Sequence, residues 1–366
     1  MKDGLDARAI ARLADNLKRA HKSFDLTGFI SCATTGLESL ELKARVDKVA
    51  EAMAQYLPAD YPTALAGIVA CASDWNSGDA GDALRGFAAW PLFVYIEKQG
   101  LEHCAVSLAA LRELTHLFTA EFALRPFLKT HPEQTLAEVL AWTQDPSDKV
   151  RRLASEGIRP RLPWACRLPE FQRDPAPVLR VLDKLIDDNS DFVCRSVANN
   201  LADIAVDHPD LVIRVCRGYL SERSKGREWI ARRATRNLIK SGHPGVWSLH
   251  GLEDQPKLRV EGLRVEPSRV RLGEGFAIDF DLVSESEASQ RLVVDFVVHH
   301  VKASGKTSPK VFKLSELSLP PQSRLPLSKN HAFRPITTRT YYPGVHRIEI
   351  QVNGERHSEV QLELMP

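Results

Sequence analysis

The sequence predicts an α+β multidomain chain, with an all-α repeat array over residues 1–250 followed by a small all-β sandwich over residues 257–366. Three observations predict it. Up to about residue 250, apolar residues recur at helical spacing between breaks that contain Pro and Asp. Beyond that point the pattern changes to short alternating runs, as in Phe276–Leu282, Arg291–Val298 and His346–Val352. Within the helical half, matching segments recur at a near-constant interval.

The 366 residues suffice for two domains with buried cores, and 43% hydrophobic against 26% charged residues exclude wholesale disorder. None of the six cysteines stands in a CxxC pair and none follows Cys216, which argues against a disulfide framework or a zinc cluster. The longest weakly interrupted apolar run, Ala83–Ile96, contains Arg85 and Pro91 and is too short for a bilayer. No apolar signal core follows the opening charges, so a soluble cytoplasmic protein is expected. No phosphate-binding or dinucleotide glycine pattern occurs, and His299-His300 alternates faces on a strand. Neither a nucleotide cofactor nor a metal is expected.

Helix starts punctuate the first half. Thr130-His-Pro-Glu133 reads as a capping box ahead of Gln134–Trp142. Asp145-Pro-Ser-Asp148 reads as a cap, a proline at the first helical position and an acid at the positive end of the helix. Asp174-Pro175 and Asp207-His-Pro-Asp210 repeat the device. Gly157 and Gly242 sit where helices should stop. The segments Asp148–Glu156, Asp191–Asn199 and Glu228–Arg236 align without gaps, 43 residues apart from Val150 to Val193 and 37 from Val193 to Ile230. That period fits stacked helix pairs of the HEAT type, with weaker copies toward the N-terminus. Leu249–Leu258 reads as the linker. The strands after it fit an immunoglobulin-like sandwich lacking the disulfide and core Trp of antibody domains.

The alignment places Arg152 and Glu156 on one helix face, then Arg195, Asn199 and Asp203, then Arg232, Arg236 and Lys240. Ordinary solvated charge ladders would give the same pattern. From Lys149 to Gly245, however, 19 Lys or Arg stand against 12 Asp or Glu, while the whole chain is only +2. A basic face on stacked helices suits a polyanion such as nucleic acid, and an acidic protein partner would fit it too. Beside the stripe, Glu121 falls at the end of an apolar helix expected over Leu111–Phe122, among Phe118, Phe122 and Phe127. It is either a cap or a deliberately desolvated acid. Arg159-Pro-Arg161-Leu-Pro-Trp164 is a proline-stiffened loop presenting two arginines and an aromatic ring. The Trp is either packing or a platform for a sugar or base that develops positive charge. Lys18–Lys22 reads as a solvated helix face. The basic turn Lys302–Lys310, with Lys302, Lys306 and Lys310, is either a solvated hairpin or a DNA contact.

Three stretches carry a resemblance: Phe118–Phe127, Val150–Trp164, and Val193–Asp203 with His208-Pro-Asp-Leu. Together they resemble the AlkC branch of the AlkC/AlkD-like DNA alkylation repair glycosylases, over roughly residues 1–245. The resemblance implies helical repeats that excise N-alkylated bases from double-stranded DNA without a fully everted lesion, and some AlkC members end in an immunoglobulin-like domain. In the AlkD branch a Trp and an Asp four apart flank the scissile nucleoside, with an Arg on the next repeat. Arg152 and Glu156 stand at that spacing here, and Arg195 matches the next-repeat Arg. Because Arg152 replaces the Trp, the aromatic contact is assigned to Trp164. Glu121 is implied as a second acid, and Asp203 falls in the matching third segment with its role open. Arg152, Arg159, Arg161 and Arg195 are expected to hold a bent duplex, and the protein to act as a monomer. Two other readings stay open at this point: a DNA-binding repeat scaffold without chemistry, and an adaptor for an acidic protein.

Overall fold

The structure, a computed structural model, describes residues 4–70, 86–222, 224–337 and 339–366. Cys71 and the first residues of the Ala83–Ile96 run lie outside the described residues. The chain divides into two compact units, Met1–Asp207 with Arg223–Ile230, and His208–Glu222 with Ala231–Pro366.

In the first unit, α1 (Ala7–Ala20), α2 (Leu26–Thr34), α3 (Leu42–Tyr56) and α4 (Tyr61–Ala70) precede α5 (Trp90–Gln99) and α6 (Cys104–Leu114). They are followed by α7 (Leu124–Thr130), α8 (Pro132–Trp142), α9 (Asp148–Glu156), α10 (Pro169–Arg173), α11 (Ala176–Leu185) and α12 (Asp191–Ile204). Helix α1 shows the logic of the array. Asp6 caps the Ala9 amide at 2.9 Å, and Ile10, Leu13, Ala14 and Leu17 form a fully buried stripe at helical spacing. Lys18, in the early basic run, donates to the carbonyls of Lys22 and Phe24 at 2.8 Å each and so closes the helix end.

Several helix starts differ from the sequence reading. Thr130 is the last residue of α7, so it cannot cap α8, whose N-cap is His131. Helix α9 begins at Asp148, two residues past Pro146, because Asp145 turns back to accept the Ser147 amide at 2.9 Å. The same Asx turn recurs where Asp174 accepts the Ala176 amide at 3.0 Å ahead of α11. Gly157 does end α9, but with φ −63° it needs no left-handed freedom. A Cβ there would stand 2.5 Å from Leu124 Cδ2, so what matters is the close packing of α7 against the end of α9.

Helices α9 and α12 are stitched together by polar groups on their facing sides. Arg151 grips Asp188 at 2.6 and 3.0 Å, Ser190 donates to Asp148 at 2.8 Å, and Asn200 donates to the Ser155 carbonyl at 2.8 Å. These bonds fix the register of one repeat on the next, and that register places the functional side chains.

The second unit contains α13 (Pro209–Tyr219), which starts at the expected proline. Helix α14 (Lys225–Ala234) carries the third aligned segment but breaks at Thr235, and α15 (Arg236–Ser241) and α16 (Val246–Leu249) follow. The break occurs where the Thr235 hydroxyl bonds to the Ala231 carbonyl and to His250, at 2.8 Å each. Arg236 and Lys240 therefore leave the helix that carries Arg232. The sandwich pairs β1 (Leu258–Glu266), β3 (Gly275–Ser284) and β6 (Arg324–Ala332) in one sheet. The other sheet runs β2 (Arg269–Val270), β8 (Glu355–Leu364), β7 (Gly344–Val352), β4 (Gln290–Val301) and β5 (Thr307–Leu319).

Alternating residues Phe276, Ile278, Phe280 and Leu282 face Leu292, Val294, Phe296 and Val298 in one core. The outer face of β4 is buried as well, at Val293 and Val297. The β7–β8 turn Asn353-Gly354, with positive φ at both residues, lies against the end of α15. A Cβ on Gly354 would come within 2.2 Å of Gly242 Cα. Gln351 donates to the Lys240 carbonyl at 3.0 Å and Asn353 to that of Glu253 at 2.6 Å. The stretch read as a linker is thus held, with Leu252 buried, and the second unit begins ahead of it.

Candidate active site

Glu121 does not end a helix. Helix α6 stops at Leu114, and Thr115 accepts the Ala120 amide at 3.3 Å, so Glu121 falls in the turn that leads into α7. This turn is backed by rings. Phe118 packs on Phe87, Trp90 and Phe93, and Phe122 stacks on Trp90 at 5.5 Å. Helix α9 supplies Arg152 and, one turn on, Glu156. Arg152 Nη1 bonds to Glu121 and donates to Thr119 Oγ1 at 2.7 Å, while Nη2 lies 3.5 Å from Glu156 Oε1. One guanidinium thus joins the two carboxyl groups, with its face 4.9 Å from the Phe192 ring centre.

Both acids are nearly out of water, each 6% exposed. Glu156 accepts Arg159 Nη1 at 2.7 Å and Ser196 Oγ at 2.6 Å. Arg159 in turn holds Asp203 with two parallel bonds of 2.9 and 3.1 Å. Burial pushes the Glu121 carboxyl above its ordinary range. Arg152 opposes that shift, and the neighbouring Glu156 adds to it. The cluster is therefore two acids held by two arginines, with a third acid behind them.

The loop after α9 is fixed from beneath by Arg125, a fully buried residue of α7. Its guanidinium donates to the carbonyls of Cys166 at 2.7 Å, Gly157 at 3.2 Å and Arg159 at 2.9 Å. Those bonds close both ends of the loop. At its tip, Trp164 is 62% exposed with φ +68°, a left-handed conformation that is costly for a Trp, and its carbonyl accepts Lys43 Nζ at 3.1 Å. An exposed ring on a strained backbone is not core packing.

The remaining residues read from sequence fall as follows. Arg161 holds Asp207 at 2.7 Å through a near-surface pair. Arg195 is exposed and takes no ion-pair partner among the described residues, whereas Asn199 is half-buried. Arg152, Arg159 and Arg161 thus direct their charge at carboxylates, and Arg195 leaves its charge to solvent. In the second unit, Arg232 pairs with Glu316 of β5, and exposed Arg236 donates to the Arg233 carbonyl at 2.7 Å. Lys240 is exposed. Lys302 and Lys306 are exposed at the β4–β5 turn, and Lys310 lies over the Phe312 ring at 5.4 Å.

The sequence reading missed Arg125, Thr119, Ser196 and Phe192. Ser196 carried a signal, because it stands at the repeat position that Leu153 fills in the previous helix. Arg125 carried a weaker one, as a lone charge in the apolar run Phe122–Phe127. Among the described residues no cluster of His, Cys, Asp or Glu could hold a metal ion, and no helix is long and apolar enough to cross a membrane.

With this geometry in hand, comparison places the chain among known proteins. Residues 259–366 match the family described as the C-terminal Ig-like domain of the uncharacterised protein YhaZ. The YhaZ protein of Bacillus subtilis is 33% identical over 97% of this chain and 96% of its own length. Across 100% of this chain and 99% of the other, the structure superposes with a TM-score of 0.91 and 38% identity on an alkylpurine DNA glycosylase, AlkC of Pseudomonas fluorescens, bound to DNA containing an abasic-site analogue. The chain belongs to the AlkC family. Both parts of the AlkC architecture are present, the helical-repeat array and the immunoglobulin-like sandwich that follows it.

Proposed function

We propose that this chain is a monofunctional DNA glycosylase that hydrolyses the N-glycosidic bond of cationic N3-alkylated bases in duplex DNA, 3-methyladenine and 3-methylcytosine among them. The observation that carries the reading is the pair of buried acids, Glu121 and Glu156, joined by Arg152. Membership in the AlkC family supports it. An N3-alkylated adenine or cytosine bears a positive charge, so its bond to C1′ is already weak. As that bond breaks, both electrons go to the base, which leaves uncharged, and the positive charge passes to the deoxyribose. Water then adds to C1′ and gives up a proton, leaving an abasic site.

The carboxylates meet the charge where it develops. Glu156, oriented by Arg159 and Ser196, stabilises the oxocarbenium-like sugar, and either acid can orient the water and take its proton. Because the acids are desolvated and already positioned, little reorganisation accompanies the reaction; one such group is typically worth about 10²–10³ in rate. Trp164, projecting from a braced loop, gives the base or sugar an aromatic surface. Exposed Arg195 meets a backbone phosphate, while Arg152 and Arg159 act by positioning the acids. The duplex is bent rather than the lesion fully everted, at an elastic cost of order 1–6 kcal/mol. The protein acts as a monomer in the cytoplasm and needs no cofactor.

Release of free 3-methyladenine from methylated duplex DNA by the purified full-length protein tests the reading. Turnover is expected. Tight duplex binding without release would replace the enzyme with a DNA-binding scaffold.

A further inference from the structure

The two oxygens of the Glu156 carboxyl group are held in different ways. Oε1 faces Arg159 Nη1 at 2.7 Å and Arg152 Nη2 at 3.5 Å. At Oε2 the donor among the described residues is the Ser196 hydroxyl of α12, at 2.6 Å. Ser196 Oγ also lies 2.9 Å from the Oγ of Ser155, which precedes Glu156 in α9. Both serines are buried, so bulk water does not complete these bonds.

Counting protons fixes the direction of these bonds. A serine hydroxyl carries one proton and accepts through its lone pairs. With two arginines on Oε1, the carboxyl is an acceptor at Oε2, so the Ser196 proton is committed to it. The 2.6 Å separation is that of a charge-assisted bond. Ser196 then has no proton left for Ser155, and the 2.9 Å bond must run from Ser155 to Ser196. The result is a chain of two hydroxyls that leaves α9 at Ser155, crosses to α12 at Ser196 and returns to α9 at Glu156. A lone hydroxyl turns about its C–O bond. Filling a lone pair of Ser196 removes that freedom and polarises its O–H toward the carboxylate. Asn200 of α12, also buried, fixes the start of the chain by donating to the Ser155 carbonyl at 2.8 Å.

We propose that Ser155 is a positioning residue for the glycosylase reaction, acting through Ser196 to hold the Glu156 carboxylate in the orientation that meets the sugar cation. Its part in the reaction rests on the glycosylase reading, whereas the hydroxyl chain does not. The packing of one repeat on the next is thereby transmitted to the direction of a reacting group. Because Ser155 is fully buried, its effect falls on the rate and not on the grip of DNA.

A double-mutant cycle in the full chain tests this, read both as single-turnover release of 3-methyladenine from methylated duplex and as urea unfolding. Ser196→Ala, which removes the bond to the carboxylate, should slow release about tenfold or more, and Ser155→Ala about threefold to tenfold. Affinity for abasic-site duplex should stay at the wild-type value in both. Adding Ser155→Ala to Ser196→Ala should slow release no further, because the chain is already cut. In urea, too, the pair should cost less together than the sum of the separate costs. Melting curves establish that each variant is folded. Release at the wild-type rate by Ser155→Ala, or effects that multiply in rate and add in stability, overturns the proposal and leaves Ser155 a packing residue. Non-additive stability with no release by the wild type would keep the hydroxyl chain and remove the glycosylase reading, and with it the part of Ser155 in catalysis. Wild-type release with additive stability and multiplying rates would do the reverse.

Discussion

Glu121 and Glu156 share one arginine but not one environment. Glu156 accepts bonds from Arg159 and Ser196, whereas Glu121 sits in the aromatic turn with Thr119 and Arg152 as its neighbours. Because burial raises the Glu121 carboxyl, its anionic form is lost at a higher pH than for an ordinary Glu. The first-turnover rate should therefore fall on acidification with a midpoint above the usual carboxylate range. Glu121→Gln should be slower at neutral pH and lack that acid limb, which a pH–rate profile will show. Trp164 gives a second prediction. Its left-handed backbone favours glycine, so Trp164→Gly should raise stability by about 1 kcal/mol relative to Trp164→Ala, while both lose affinity for abasic-site DNA. Paired denaturation and binding curves check it. That Arg152 and Glu156 share one helix face was legible from their i,i+4 spacing on an aligned helix. The buried network around them was not, since spacing reports which face a residue occupies and not what it meets across the next repeat.

At the scale of elements, the site depends on the register of α9 on α12 and on the loop that α9 feeds. Repeats and periodicity made those helices readable, yet their starts were misjudged at Thr130 and Pro146. There a preceding helix or an Asx turn took the residue that the motif assigns to the cap. The third repeat misled in the same way. Glu228–Arg236 aligns in sequence, but the bonds of Thr235 end the helix, and Arg232 is spent on Glu316. Arg125 is the residue on which the loop hangs. Replacing it with Met strands three buried carbonyls, so Arg125→Met should cost about 3 kcal/mol or more in a urea titration. Glu121 and Glu156 remain in the chain, so any loss of activity below the melting range reports loop disorder rather than missing acids.

For the whole molecule, the change of period near residue 250 gave the order of the parts, helical array first and sandwich second. It could not show that Ala231–Leu249 clusters with the strands, because that depends on the close approach of Gly242 to Gly354 and on bonds from Gln351 and Asn353. Net charge was uninformative, since many arginines of the basic segment are neutralised locally. The exposed lysines of the β4–β5 hairpin have no ion-pair partner among the described residues. Changing Lys302, Lys306 and Lys310 together to Ser should weaken duplex binding and flatten the slope of log affinity against log salt. A salt titration with the triple variant would show the hairpin to be uninvolved if both stay as in the wild type.

A desolvated carboxylate stabilising a deoxyribose cation is the proposed chemical step, and single-turnover release of 3-methyladenine by Glu156→Gln measures it. A loss of about 10²–10³ in rate is expected, with affinity for abasic-site duplex kept within a few-fold of wild type. Release at the wild-type rate by a folded, DNA-binding Glu156→Gln protein would contradict it.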